Sequence, residues 1–354
     1  MHRQHSFAPS SYLHSNITTK SLYFELSLSL VPALVYAVYL QGFYVLFIYF
    51  FSFLGGLAAE GLGHFAMKNR INIRSVVFYS LLNGFLFSGS TNVVFPFLSS
   101  FIGLFLTQSI LGGVGRHWMN PVVWGYVFVR FSWPDLFNKW HMSRNMNGIE
   151  STLNPLMTIK KATNGHPMAI LDQAGLPKSE WDGFFTNQIN HFILDPLSIR
   201  LPEGYIDLLT GQFPGFLGEI TLFFIVLGGA YLVIRGIIDW TIPFLYAVTY
   251  AFVVFLLGGL PFSTGYFSGD ILFHMSTGFF WLSCFYLLPD ITIAPNAQIA
   301  KSIYAVLSGI IVALLRIFSP FQDGVLEGLL LVSAIIPLLN KIPEKIDQNI
   351  MKRF

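Results

Sequence analysis

Glu60 and His64 lie four residues apart in LGGLAAEGLGHFAM, and Asp270 and His274 repeat that spacing in GDILFHMS. Residues four apart on a helix meet on one face, so each pair could share a hydrogen bond, pass a proton or hold a cation. The plainer reading is a local hydrogen-bonded pair. A resident metal would need more ligands, and nothing nearby is spaced to supply them. Glu25, Glu219, Asp290, Asp323 and Glu327 are further acids in apolar surroundings. An ionisable group at bilayer depth costs about 2.5–3.5 kcal/mol, so it faces a protein interior or a water path. Acids at helix N-termini are stabilised by the dipole, the bland reading for Glu219 and Asp323, and a cap is the bland reading for Asp290. The expected ion path uses Glu60, Asp270, His274, Asp290 and Asp323. Glu60 leads because its small neighbours allow close helix approach.

The stretch LGGVGRHWMNPVVWGY, residues 111–126, is a second candidate. Gly112 and Gly113 free the backbone for a tight turn or a close ligand. Asn120 is placed to cap a helix that begins at Pro121. No strand precedes the turn and no GxGxxG spacing occurs, which excludes a dinucleotide fold. A second broken turn, YLLPDITIAPN at 286–296, stands in the corresponding place of the other half of the chain. Paired interruptions of this kind point to a site between them; the alternative is two turns with nothing bound.

Bilayer helices must position these groups. The 354 residues are 54% hydrophobic and only 11% charged, against roughly 25% charged in soluble domains. Mean hydropathy is +0.61. A lone cysteine, Cys284, excludes a disulfide framework or an iron–sulfur cluster held by this chain alone. The net charge of +2 gives no reason to expect nucleic acid as a partner. A cleavable signal peptide is not expected from the polar first 20 residues.

Ten apolar segments approach span length, near 22–40, 42–65, 75–91, 93–111, 120–133, 215–234, 241–259, 268–288, 299–318 and 324–340. The lysines and arginines of the short connections fall on one side when both termini are cytoplasmic. The reading is therefore an all-α integral membrane protein of about ten helices. Its parts are a tail at 1–21, a five-helix half at 22–133, an extracytoplasmic loop at 134–212, a second half at 213–340 and a tail at 341–354. Five spans on each side of the loop make the second half inverted relative to the first.

LGGVGRHWMNPVVWGY resembles the GGxGxNxxNPAxxGY signature of the RnfD/NqrB family of membrane subunits. Three more stretches resemble that family in order: GFLGEITLFFIVLGGAYLVIRGIIDWTIP, HMSTGFFWLSCFYLLPDITIAP and ALLRIFSPFQDGVLEGLLLVSAIIPLL. The resemblance implies two inverted five-helix halves, related to urea and ammonium channels. It also implies a place in a Na⁺- or H⁺-translocating electron-transport complex of the bacterial inner membrane. Other Rnf/Nqr-type membrane, iron–sulfur and flavin subunits, and the lipid bilayer, are the implied partners. This chain is then part of a translocase and not catalytic alone.

Family members carry a flavin mononucleotide on a threonine of an SGAT motif after the fifth span. Here ESTLNPLMTIKKA, residues 150–162, occupies that place. Thr152 falls on the motif's glycine and Asn154 on its acceptor threonine. An amide has no hydroxyl to esterify, so riboflavin or flavin mononucleotide held without a covalent bond is the expected form. Thr152 is the weaker attachment candidate, and Gly112, Gly113, Asn120 and Pro121 are the candidate cofactor-binding residues of the glycine turn. The competing expectation is a redox-silent channel or assembly scaffold that kept the fold and lost the cofactor.

Overall fold

The computed structural model describes residues 19–68, 71–115, 119–134, 154–162, 164–176, 178–197 and 200–341. Thr152 therefore lies outside the described residues, as do the two tails apart from 19–21 and 341.

Among the described residues every regular element is a helix. Ahead of the polar loop lie α1 (Thr19–Gln41), α2 (Tyr44–Met67), α3 (Ile73–Phe85), α4 (Val94–Leu104) and α5 (Pro121–Ser132). A π-helical turn, Phe105–Ser109, extends α4. The polar loop folds as α6 (Pro155–Lys161), α7 (Pro167–Gln173), α8 (Glu180–Ile189) and α9 (Tyr205–Thr210). After the loop come α10 (Leu217–Ile220), α11 (Leu222–Ile234), α12 (Thr241–Leu257), α13 (Ile271–Ser276), α14 (Phe280–Leu282), α15 (Gln298–Phe318), α16 (Val325–Ser333) and α17 (Ile336–Leu339).

Four helices are long and apolar enough to cross a bilayer: Ser21–Gln41, Tyr44–Met67, Thr241–Phe262 and Gln298–Phe318. This is a multi-pass membrane protein. The expected segments at 215–234, 268–288 and 324–340 are not continuous helices. The break within 268–288 falls at Thr277–Phe279, where Gly278 has a φ of +72°. An unwound turn is tolerated there because polar side chains take up its freed backbone groups.

Two sets of helices pack in the same order: α2 lies against α4 and α4 against α5, and α12 lies against α15 and α15 against α16. Small residues make the equivalent contacts close. A Cβ on Gly55 of α2 would run into the Phe97 carbonyl of α4, and one on Gly309 of α15 would meet the Tyr246 carbonyl of α12. Across these sets, α1 packs on α11 and α5 on α16.

Candidate functional site

Two buried polar groups stand out. The first is built on α3. Glu60 is 3% exposed, and its Oε1 accepts from Gln108 Nε2 at 2.5 Å. Gln108 belongs to the π-helical turn after α4, a distortion that often marks a functional position. Its Nε2 also lies 3.4 Å from Ser75 Oγ, and its Oε1 has no hydrogen-bond partner. One turn along α3, Tyr79 donates its hydroxyl to Asp290 Oδ2 at 2.9 Å. Asp290 Oδ1 accepts from Thr292 N at 3.0 Å, which fixes the second broken turn. Consecutive turns of α3 thus touch Gln108, the partner of Glu60, and Asp290 itself. His64, on α2 with Glu60, is exposed.

The glycine turn meets the second broken turn directly, through Asn120 Nδ2 and the Leu287 carbonyl at 3.3 Å. Gly112 and Gly113 both have φ of +102°, so their conformation alone accounts for their residue type. Asn120 caps α5 by accepting from Val122 N, with Pro121 in the first turn. The cavity at this junction measures about 10 Å³, at the lower limit for one water.

The second group surrounds the break between α13 and α14. Arg316, near the end of α15, is fully buried. Its guanidinium pairs with Asp323, donates to Thr277 O at 2.7 Å and Thr277 Oγ1 at 2.6 Å, and donates to His274 Nδ1 at 3.3 Å. Asp323 Oδ2 accepts from Phe279 N at 3.1 Å, and Glu219 Oε1 from Gly278 N at 2.7 Å. Two acids and an arginine therefore replace the helical bonds lost at the break. Beside them Arg130 of α5 lies 3.5 Å from Glu327 of α16 and donates to Gln322 Oε1 at 2.9 Å.

The expected Asp270–His274 side-chain pair does not form. Asp270 caps α13, accepting from Phe273 N at 2.9 Å, and takes the Tyr205 hydroxyl; the His274 ring is held by Arg316 instead. Asp270, His274 and Asp323 cluster around α13, on the other group from Glu60 and Asp290. Glu25 pairs with Arg235 at 3.2 Å, joining α1 to the end of α11.

A family model described as "NQR2, RnfD, RnfE family" matches residues 6–347. The chain belongs to that family. Similar proteins include a subunit of the proton-translocating ferredoxin:NAD(+) oxidoreductase complex of Clostridium ljungdahlii, 24% identical over 96% of this chain and 95% of the relative. A subunit of the Na(+)-translocating ferredoxin:NAD(+) oxidoreductase complex of Acetobacterium woodii is 23% identical over 95% of this chain and 92% of the relative. A subunit of the ion-translocating oxidoreductase complex of Salmonella arizonae is 26% identical over 94% and 95%.

The chemistry at 154, the position expected from the resemblance for a flavin-bearing threonine, does not fit covalent attachment: an amide side chain has no hydroxyl to esterify. Asn154 is 1% exposed and caps α6, its Oδ1 accepting from Leu156 N at 3.0 Å and Met157 N at 3.3 Å. Its Nδ2 lies 3.5 Å from Glu219 Oε2, which ties the loop to the second polar group. The nearby Thr158 hydroxyl is engaged with the Asn154 carbonyl at 2.9 Å. Replacing Asn154 with Ala is expected to remove about 1 kcal/mol of capping, read as a lower melting temperature of the detergent-solubilised chain.

Sequence reasoning missed Gln108, Arg316 and Arg130. Gln108 carries no charge to announce it, and Arg316 reads from sequence as a helix-end cation. Gly278→Ala tests the break: a Cβ there would strike Asp323 Oδ1 and force a left-handed conformation on an L-residue. Melting should fall by several degrees; an unchanged melting temperature would show that the break is not fixed by these contacts.

Proposed function

We propose that this chain is a membrane subunit of a redox-driven Na⁺- or H⁺-translocating electron-transport complex. The observation that carries the reading is the family match over residues 6–347, together with relatives of similar length that are named as such subunits. The chain acts with other Rnf/Nqr-type membrane, iron–sulfur and flavin subunits, in the bacterial inner membrane with both termini cytoplasmic. Its ten segments form two inverted halves, at 22–133 and 213–340, with an extracytoplasmic loop at 134–212 between tails 1–21 and 341–354. The matched packing of α2 with α4 and α12 with α15 supports this arrangement.

The cation path runs along α3, from Glu60 past Gln108 and Ser75 to Tyr79 and Asp290. A carboxylate, an amide oxygen without a donor and a hydroxyl are hard oxygen ligands suited to Na⁺ or a proton relay. The acids and histidine around α13, Asp270, His274 and Asp323, form its second arm. Any flavin this chain holds is riboflavin or flavin mononucleotide bound without a covalent link at 154; the glycine turn with Gly112, Gly113, Asn120 and Pro121 can contact it only at its surface, since the cavity beside Asn120 has room for one water at most. The position of Asn154 also favours the second reading, a redox-silent channel or scaffold.

Affinity purification of the intact assembly separates the two. Iron–sulfur and flavin subunits co-purifying in fixed ratio would support the electron-transport reading. A chain that purifies alone, without flavin absorbance, would favour the second.

A further inference from the structure

A cavity of about 590 Å³ lies beneath α6, walled by Leu156, Met157, Lys160, Phe262, His274 and Phe318 among others. No carboxylate is among its lining residues, while Lys160, Lys161 and Arg316 all are. Arg316 is neutralised by Asp323. Lys160 is not paired in this way: its ammonium donates to the Ser319 carbonyl at 3.3 Å and to the Phe321 carbonyl. An ammonium has three donors, so one remains. Lys161 is exposed at the rim.

His274 supplies an independent sign of a ligand. It is 4% exposed, and its Nε2 has no partner. Because Nδ1 accepts from Arg316 Nε, the neutral ring carries its proton on Nε2. A buried N–H donor without an acceptor is costly, and an oxygen-rich ligand would relieve it.

Exposed apolar side chains continue outward from the cavity wall. Phe318 is 55% exposed, and Leu314 and Phe255, a turn deeper on α15 and α12, are 37% and 41% exposed. The remaining wall is mostly apolar. We propose that this cavity is a binding site for an anionic phospholipid, its phosphodiester headgroup on Lys160 and Lys161 and its acyl chain along Phe318, Leu314 and Phe255. Basic pockets at a membrane interface recognise such headgroups, at about 1 kcal/mol, or roughly fivefold in affinity, per lysine.

The charge on Lys160 sets a pH dependence. Burial, reinforced by Arg316 and Arg130 and opposed by Asp323 and Glu327, holds its ammonium down at about 8. Headgroup affinity should therefore be full near pH 7 and fall as pH rises through 8 toward 9, when the proton is lost.

The test is native mass spectrometry of the delipidated full-length chain, titrated separately with phosphatidylglycerol, phosphatidylcholine and flavin mononucleotide. Phosphatidylglycerol should be retained most tightly, with affinity about fivefold lower in Lys161→Gln and lower again in Lys160→Gln/Lys161→Gln. Met157→Trp, which fills the cavity, should abolish the adduct. Lys161 is exposed, so its variant remains informative if the double variant does not fold. Equal retention of phosphatidylcholine, unchanged affinity in Lys161→Gln, or flavin mononucleotide displacing the lipid would each overturn the proposal.

Discussion

Arg316→Met should leave little stably folded chain in mild detergent. The guanidinium is the only cation bonded to Asp323 among the described residues, and it also serves Thr277 and His274. Removing one partner of a buried pair costs about 3–5 kcal/mol, because the other charge stays behind without compensation. Total stabilities are commonly about 5–15 kcal/mol, so the loss is a large share of the whole. Arg316→Lys should fall between, since an ammonium keeps the charge but cannot present the fork that reaches all three partners. Arg316→Met/Asp323→Leu should recover only part of the loss, because Phe279 N also depends on Asp323. Size-exclusion profiles and melting of the solubilised chain read all three. A monodisperse Arg316→Met chain melting within a degree or two of the parent would refute this role.

Glu60→Gln should do the opposite, leaving the fold and stopping transport. The amide is isosteric with the carboxylate and still offers an oxygen to Gln108 Nε2, so the contact between α2 and the π-helical turn survives. What disappears is the negative charge, and with it the reason for a cation or proton to enter a low-dielectric interior. Coupled ion uptake should fall at least about tenfold, equivalent to about 1.4 kcal/mol at the limiting step, while the partner proteins still co-purify. Gln108→Leu, which removes the Oε1 that has no donor, should weaken ion dependence with assembly again intact. Normal coupled transport in Glu60→Gln would remove Glu60 from the pathway.

Hydropathy made the four long spans legible, and the ordered motifs from LGGVGRHW to IIPLL made the family legible. Asn120 and Pro121 were readable as a helix start because capping is a local matter that sequence carries directly. The helix break at Gly278 was not readable. Its reason is distant in sequence: Glu219 and Asp323 supply acceptors across 59 and 44 residues. Asp270 and His274 show the converse error. Four-residue spacing brings two side chains onto one face only if the helix already includes both, and α13 begins after Asp270. Glu60 was singled out by its charge, whereas its partner Gln108 became visible only through the fold.

If the proposed function holds, ions move through this chain only when electrons move through its complex. The direct measurement is Na⁺ and proton uptake into proteoliposomes, with the purified complex in one set and this chain alone in another, with and without reduced electron donor. Donor-dependent uptake by the complex, lost with Glu60→Gln, and no uptake by the chain alone are the expected results. Uptake by the isolated chain without any donor would contradict them and identify a channel.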